Sequence, residues 1–274
     1  AYLAEGLNDM YWGCGLAIFP SDNGAPAIEL MRDPMLHPGK NYQGIILMQL
    51  REELFGLERG GNPQRLSLVP SGTWPAVPLD DFFFDQSYRH LLGSSRDGKS
   101  AVVIDIDAGK PVKRIALPGL PHLGSGITWT YRDRKVMATP HLKENKVSVI
   151  DLNDWSILKT LDTKGPGFFM RSHEKTRYAW TDVFFGPNRD LMHIIDKTSL
   201  EIVKTIKPAP GKTAAHVEFD RDGSHAIVSI WDLDGAIVIY DAATLEEVKR
   251  IPMSKPSGKY NVWNKITFSE GSSH

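Results

Sequence analysis

Two histidines with similar surroundings are the residues whose types and positions could carry chemistry. His122 lies in the segment PGLPHLGSGITW and His216 lies in GKTAAHVEF. A neutral imidazole can bind iron, and it transfers protons near its unperturbed pKa of about 6.5. If both rings reach one ligand, they could bind iron or move a proton. The alternative is that each ring caps a strand by bonding backbone groups.

Three other side chains are secondary candidates. His141, in ATPHLKEN, is predicted at the end of a strand. Arg171 could bind a carboxylate through two parallel bonds, whether that carboxylate belongs to a ligand or to Glu174 or Asp182 of the protein. Trp231 lies in a predicted inner strand, where it fills the core or stacks on a flat ring. No H-x-H or H-E-x-x-H spacing supports a metal site of histidine and carboxylate.

The elements that position these residues follow from a phrase that occurs four times. An aspartate recurs about every 45 residues, as Asp105, Asp151, Asp196 and Asp241, in AVVIDIDAGKPVKRIAL, KVSVIDLNDWSILKTL, MHIIDKTSLEIVKTI and AIVIYDAATLEEVKRI. Alternating β-branched residues predict that each phrase is a pair of strands around a turn, where the aspartate accepts backbone N–H bonds. Two further strands precede each phrase. The sequence therefore predicts an all-β fold of four-stranded propeller blades.

The predicted blades suggest where the histidines lie. In a propeller the blades surround a central channel, and the first strand of each blade borders it. His122 and His216 are predicted at such strands of separate blades, so their side chains are expected to converge at one end of the channel. His173, in RSHEKTR, is predicted on a solvated loop, and His193, in LMHIID, is predicted to pack inside a blade.

The composition argues against several classes of partner. The 274 residues carry a formal net charge of −1, and no basic run indicates a nucleic-acid partner. The apolar stretches are too short to cross a bilayer. The single cysteine, Cys14, excludes an internal disulfide and the Cys-x-x-Cys-His motif that attaches a c-type heme. No signal peptide is recognised, and the chain begins at Ala1.

The chain is predicted to have two regions. Residues 1–75 do not fit the repeat and are rich in Gly, Pro and Asn around one predicted helix near Tyr42 to Arg59. Residues 76–274 carry the blades, and Lys265 to Phe268 could add a strand to the first of them. About four blades form either a small closed ring or the C-terminal part of a longer, incomplete one.

Long motifs in residues 76–274 resemble one known family. They are DDFFFDQSYRHL, LPGLPHLGSGITW, VMATPHLKE, GPGFFMRSHE, YAWTDVFFGPN, APGKTAAHVEFDRDG and KPSGKYNVWNKITFSEGSSH. These motifs look like the C-terminal part of the heme d1-binding propellers, the superfamily of cytochrome cd1 nitrite reductase, and within it like the branch that completes heme d1. The resemblance implies an eight-bladed propeller whose channel binds heme d1 or its dihydro precursor, in a periplasmic protein of denitrification.

The resemblance also implies an activity, that of an electron-transferring dehydrogenase in heme d1 biosynthesis. Such an enzyme oxidises a propionate side chain of dihydro-heme d1 to an acrylate. The implied partners are the tetrapyrrole and an electron-transfer protein or a nitrite reductase. The c-type heme of the family is not supported in this chain, because the Cys-x-x-Cys-His motif is absent. Two alternatives stay open: a nitrite reductase domain, in which His122 and His141 donate protons, and a non-enzymatic propeller that binds a protein partner.

The family motifs imply roles for individual residues. His122 is implied as a catalytic histidine near the substrate side chain. His216 is implied as a catalytic histidine on the distal side that ligates iron or moves a proton. The residues implied to contact the cofactor are His141, Arg171, Trp231, Ser257, Gly258 and Tyr260.

Overall fold

The computed structural model describes residues 81–87, 89–94, 101–105, 110–257 and 259. These residues fall in two compact units that divide between Ala116 and Leu117. Residues 1–75 with their predicted helix, and the predicted strand at Lys265 to Phe268, lie outside the described residues. No helix in the described ranges has the length and apolar character that a membrane crossing needs.

A four-stranded antiparallel sheet, blade 1, forms the described part of the first unit. Its strands pair in chain order and are β1 (Asp81–Phe84), β2 (His90–Ser94), β3 (Ala101–Asp105) and β4 (Lys110–Ile115). All five residues of β3 are buried. The run AVVID therefore forms an inner strand, as its apolar residues predict.

Three more four-stranded antiparallel sheets form the second unit. Blade 2 consists of β5 (Ile127–Tyr131), β6 (Arg134–Pro140), β7 (Lys146–Asp151) and β8 (Ile157–Asp162). Blade 3 consists of β9 (Met170–Arg171), β10 (Tyr178–Asp182), β11 (Met192–Asp196) and β12 (Glu201–Ile206). Blade 4 consists of β13 (Thr213–Phe219), β14 (His225–Trp231), β15 (Ala236–Asp241) and β16 (Glu247–Pro252). The prediction of an all-β fold with four-stranded blades is confirmed.

Apolar side chains between neighbouring blades form the core of the second unit. Trp129 of blade 2 belongs to one cluster with Ala179 and Ile195 of blade 3. Trp180 of blade 3 belongs to a second cluster with Phe219 of blade 4. Consecutive residues of a strand point to opposite faces, so blade 3 buries apolar residues on both of its faces. Trp129 and Trp180 are both buried in these clusters between blades.

The recurring aspartate closes the turn between the third and fourth strands of a blade. In blades 2 to 4 its Oδ1 accepts the backbone N–H two residues later, over 2.8 Å from Asn153 to Asp151, 2.7 Å from Thr198 to Asp196 and 2.9 Å from Ala243 to Asp241. The predicted structural role of this aspartate is therefore confirmed.

A large apolar residue four positions after each of these aspartates has a left-handed backbone. The φ values are 60° at Trp155, 56° at Leu200 and 63° at Leu245. Bulky residues rarely adopt this conformation. Here each backbone N–H donates to the aspartate carbonyl, and each side chain is buried. The turn bonds and the burial together offset the strain.

Asp196 shows how strongly such a turn binds its carboxylate. Arg177 Nε and Thr198 Oγ1 each donate to it over 2.6 Å. Burial alone would raise the pKa of Asp196, but the bonds from Arg177, Thr198 and nearby backbone N–H groups outweigh burial and lower the pKa to about 2. The ionised form of Asp196 is thus favoured in the folded chain.

We expect the substitution Asp196→Ala to lower the free energy of unfolding at neutral pH by about 1–2 kcal/mol. Since the folded pKa lies below that of the unfolded chain, the ionised carboxylate stabilises the fold above about pH 4, and this contribution is lost as the pH falls toward 2. Urea unfolding of both proteins over this pH range measures the difference. A difference that does not shrink in acid would contradict this role.

Candidate functional site

The segment Phe168–Phe169, directly before β9, contacts both of the predicted histidines. The ring centroid of Phe168 lies 4.3 Å from that of His122, and the centroid of Phe169 lies 4.5 Å from that of His216. The two phenylalanine rings are 4.5 Å apart. The structure therefore brings a histidine that precedes blade 2 and a histidine of blade 4 to one aromatic pair of blade 3.

His122 is held as a neutral ring before β5. Its backbone N–H donates to the Pro140 carbonyl over 2.8 Å, and its Nδ1 lies 2.5 Å from the carbonyl oxygen of Phe168. A carbonyl oxygen only accepts, so Nδ1 carries the proton and Nε2 holds the lone pair. Burial lowers the pKa of His122 to about 4, against the raising effect of the Phe168 bond.

His216 lies in a β-bulge of β13. The pairing of β13 with β14 shifts register between Ala215 and Glu218, and His216 has a φ of 52°. A bulge re-aims its side chain relative to the regular alternation of a strand. The backbone N–H of Lys259 donates to Nδ1 of His216 over 3.3 Å. In the neutral ring the proton is therefore on Nε2, the reverse of the arrangement in His122.

Five aromatic rings form an aromatic wall beside the histidines, and they are Phe168, Phe169, Phe184, Phe185 and Trp231. The Phe184 centroid lies 5.2 Å from that of Phe168 and 5.3 Å from that of Trp231. Phe185 is 38% exposed, so the wall reaches the solvent. Apolar, flat side chains of this kind suit a planar conjugated ligand.

Sequence reasoning missed the four phenylalanines of the aromatic wall. The available signal was a Phe-Phe pair that occurs twice next to glycine, in GPGFFM and in VFFGPN. Both pairs lie outside the regular strand alternation, since one precedes β9 and the other follows β10. Large apolar side chains in the loops between strands need an apolar surface or a ligand to pack against, and the alternation of the strands does not account for one.

Arg171 belongs to a buried ion pair behind His216. Its Nε lies 3.6 Å from Oε2 of Glu218, and both side chains are buried. Glu174, which the sequence suggested as an internal partner, is exposed. The bulge explains the difference, because the register shift places Glu218 on the buried side of β13.

Lys259 places a second cation beside the same bulge. Its Nζ donates to the backbone carbonyl of His216 and, over 2.9 Å, to Oγ of Ser229. Burial lowers the pKa of Lys259 to about 7, although the Glu218 charge raises it.

Asp182, at the end of β10, bonds the backbone of the Phe168–Phe169 segment. Its Oδ1 accepts the backbone N–H of Phe168 over 2.7 Å and that of Phe169 over 3.1 Å. Burial raises the pKa of Asp182 to about 7, against the lowering effect of these bonds.

His141 lies in blade 2, at the end of β6, with both ring nitrogens bonded inside the protein. Nδ1 lies 2.6 Å from the Pro118 carbonyl oxygen, and Nε2 lies 2.9 Å from Oγ of Ser148. Burial lowers the pKa of His141. Among the described residues, the histidine rings in contact with the Phe168–Phe169 pair are those of His122 and His216, and His141 is not one of them.

The remaining predicted contact residues follow blade 4. Ser257 is exposed, and its carbonyl oxygen accepts the hydroxyl of Ser229 over 3.0 Å. Gly258 and Tyr260 lie outside the described residues. Trp231 belongs to the aromatic wall, with its centroid 6.0 Å from that of Phe169.

The prediction that His173 lies on a solvated loop is wrong. Its ring is buried, and Nε2 lies 3.2 Å from the Arg221 carbonyl oxygen of blade 4. The loop that carries it packs on the turn at Gly223, where an added Cβ would lie 2.1 Å from Nδ1 of His173. His193 packs inside blade 3 as predicted, with Nδ1 2.8 Å from Oγ1 of Thr205.

The protein side chains alone do not build a metal centre within the described ranges. No group of three or more His, Cys, Asp or Glu side chains in these ranges is placed to hold a metal ion.

Comparisons of sequence agree with the family resemblance. A family model described as the cytochrome D1 heme domain matches residues 73–265. A dihydro-heme d1 dehydrogenase of Pseudomonas aeruginosa is 57% identical over 196 residues, which cover 72% of this chain and 40% of that protein. The chain therefore spans less than half the length of this relative.

Comparisons of structure agree with the predicted fold. The structure titled dihydro-heme d1 dehydrogenase NirN in complex with DHE matches with a TM-score of 0.69 and 54% identity, over 76% of this chain and 44% of that chain. The β-propeller domain of Cps50 (Swd1) from Myceliophteria thermophila matches with a TM-score of 0.51 and 16% identity, over 68% of this chain and 58% of that chain. The second likeness shows the fold alone.

We expect the His122 ring to stay neutral as the pH falls from about 8 to about 5, because its pKa in the folded chain is about 4. Protonation favours the unfolded chain, so the stabilisation from the neutral ring is lost as the pH falls from about 6.5 toward 4. Long-range ¹H–¹⁵N spectra of protein labelled with ¹⁵N-histidine should show a protonated Nδ1 and an unprotonated Nε2 for His122. The His122 signals are assigned by their loss in His122→Gln. A titration midpoint near neutral pH for this ring would contradict the assignment.

Proposed function

Since the chain belongs to the cytochrome D1 heme domain family, we propose that it binds a heme d1-type tetrapyrrole and takes part in the oxidation of dihydro-heme d1. The observation that carries this proposal is the pair of histidines in opposite tautomers on one aromatic wall. His122 offers a lone pair at Nε2, and His216 offers a proton at Nε2. A metal-containing substrate with a reacting side chain needs both a ligand for its metal and a group that transfers a proton.

The residues present fit a flat, carboxylate-bearing ligand. The aromatic wall supplies apolar faces against which a macrocycle can pack. Arg171 supplies positive charge next to His216, and Glu218 offsets part of it. Lys259 adds positive charge below about pH 7, since its pKa is about 7. A ligand with several acid side chains is attracted to the net positive part of such a cluster.

We assign the two histidines different roles on the basis of their hydrogen bonds. The lone pair on Nε2 makes His122 suited to ligate iron, because its Nδ1–H is already bonded to the Phe168 carbonyl. The Lys259 amide occupies Nδ1 of His216. His216 is therefore suited to donate or return a proton at Nε2 rather than to ligate, which revises the role that the resemblance implied for it.

The proposed reaction converts a propionate side chain to an acrylate. Two C–H bonds on adjacent carbons break and one C=C bond forms, so that two electrons and two protons leave the substrate. Bound iron and the macrocycle supply the conjugated system through which electrons can leave. His216 moves a proton near the side chain, while the aromatic wall keeps water from it.

The 274 residues contain one cysteine and therefore no Cys-x-x-Cys-His motif for a c-type heme, so the two electrons need an acceptor that these residues do not supply. We propose a c-type cytochrome or a similar electron-transfer protein as that acceptor, in two one-electron steps. A nitrite reductase is the proposed recipient of the finished cofactor. We also propose a periplasmic location and a role in denitrification, in keeping with the resemblance.

The nitrite reductase alternative depends on a second proton donor at His141. Both nitrogens of this ring are bonded inside blade 2, to Pro118 and Ser148. The scaffold alternative assigns no chemistry to the neutral, buried ring of His122. The dehydrogenase proposal uses both His122 and His216 and is therefore preferred.

We expect the full chain to bind dihydro-heme d1 and heme d1 with saturable changes in absorption. His216→Gln should bind both pigments about as well as the unaltered chain, and it should lower the rate of dehydrogenation by about 10²-fold or more with an added c-type cytochrome as acceptor. His122→Ala should shift the absorption bands of the bound pigment, because an axial ligand is lost.

His141→Gln is the matched control, since it replaces a buried histidine of the same unit. It should lower thermal stability and leave the bands of the bound pigment unchanged. If His141→Gln shifted those bands and His122→Ala did not, the ligand assignment would be wrong. If the unaltered chain bound neither pigment, the proposed function would fail.

A further inference from the structure

We infer that Asp182 is a positioning residue that sets the tautomer of His122 through the peptide bond between Phe168 and Phe169. The inference deepens the proposed function, because it concerns the residue that is proposed to offer a lone pair to iron. It rests on that function only for its purpose, since the geometry stands without any ligand.

Asp182 makes three hydrogen bonds to the Phe168–Phe169 segment. Its Oδ1 accepts the N–H of Phe168 over 2.7 Å and the N–H of Phe169 over 3.1 Å. Its own backbone N–H donates to the Phe169 carbonyl over 3.2 Å. The side chain is 1% exposed, so these bonds form in a medium where a lost bond is costly.

Because the peptide bond is planar, fixing the Phe169 N–H also fixes the carbonyl group that His122 contacts. In a trans peptide the N–H and the C=O point in opposite directions. The N–H of Phe169 points to Asp182, so the C=O of Phe168 in the same peptide points away from it. That carbonyl oxygen lies 2.5 Å from Nδ1 of His122. Because a carbonyl oxygen cannot donate, His122 must keep its proton on Nδ1 and its lone pair on Nε2.

The intervening peptide also explains how His122 can be oriented without becoming charged. A carboxylate bonded directly to an imidazole favours the protonated ring and raises its pKa. Here the carboxylate contacts the peptide instead, and the ring meets a neutral carbonyl. Burial therefore dominates and lowers the pKa of His122 to about 4. The peptide between Asp182 and His122 therefore orients the imidazole ring, and the ring stays neutral.

The close contact of the segment with β10 depends on a glycine. A Cβ at Gly167 would lie 2.9 Å from the Asp182 carbonyl oxygen and 2.9 Å from Cβ of Pro140. Only a residue without a side chain lets the backbone approach this closely. The segment therefore has one position on β10, and Asp182 fixes the orientation of its peptide planes.

The test compares Asp182→Ala and Asp182→Asn in the full chain without ligand. Asparagine keeps a carbonyl oxygen that can accept both N–H groups, whereas alanine keeps no acceptor. We expect Asp182→Ala to give a mixture of His122 tautomers in ¹H–¹⁵N spectra and Asp182→Asn to restore the Nδ1–H form. Asp190→Ala is the control, because Asp190 is also buried and accepts a backbone N–H, from Gly211 over 2.8 Å, at another place.

Hydrogen exchange of the Phe168 and Phe169 amides gives a second measurement. Above about pH 8 Asp182 is ionised, because its pKa is about 7. At that pH the loss of the negative charge in Asp182→Asn should speed exchange of these two amides about tenfold and leave the amides of β14 unchanged. This readout serves even if Asp182→Ala does not fold.

Unchanged ¹⁵N shifts of His122 in Asp182→Ala, or unchanged amide exchange in Asp182→Asn, would overturn the inference. Neither readout uses a pigment, so a failure of pigment binding in the unaltered chain would count against the proposed function alone.

Discussion

The structure of the site depends on the need of buried backbone N–H groups for acceptors. The connection from β8 to β9 runs against the end of β10, and the N–H groups of Phe168 and Phe169 cannot be satisfied there by strand pairing. A buried donor without an acceptor costs about 1–3 kcal/mol. The Asp182 carboxyl group removes this cost for both residues at once. Fixing these amides also fixes the backbone that carries the Phe168 and Phe169 rings and the carbonyl that His122 contacts.

The blades supply the other half of the arrangement, because each contributes a different kind of residue from an equivalent place. His122 precedes the first strand of blade 2, the phenylalanine pair precedes the first strand of blade 3, and His216 lies within the first strand of blade 4. Apolar packing between the blades holds these first strands in a fixed relation. A shared site therefore forms from positions that are far apart in the chain.

The features that the sequence could predict are those that depend on a local, repeated pattern. The recurring aspartates with alternating apolar residues predicted the strands. The matching locations of His122 and His216 predicted that the two side chains converge, and both rings contact the Phe168–Phe169 pair. The features that it could not predict depend on breaks in that pattern. A bulge at His216 shifts register by a step that alternation does not reveal, and so Arg171 meets Glu218 rather than Glu174. His173 is buried by a turn of the next blade, which only tertiary packing determines.

The left-handed backbone at His216 limits how this position can change in evolution. A residue with φ of 52° is tolerated by glycine, asparagine, aspartate and histidine at lower cost than by lysine, tyrosine or glutamate. The residue types that are easiest to accommodate include several that cannot exchange a proton near neutral pH, whereas most alternative proton carriers meet a conformational penalty. Under the role proposed for His216, drift at this position leads to inactive binding proteins more readily than to enzymes with a new acid or base. A lineage that lost the histidine would keep the propeller and its aromatic wall.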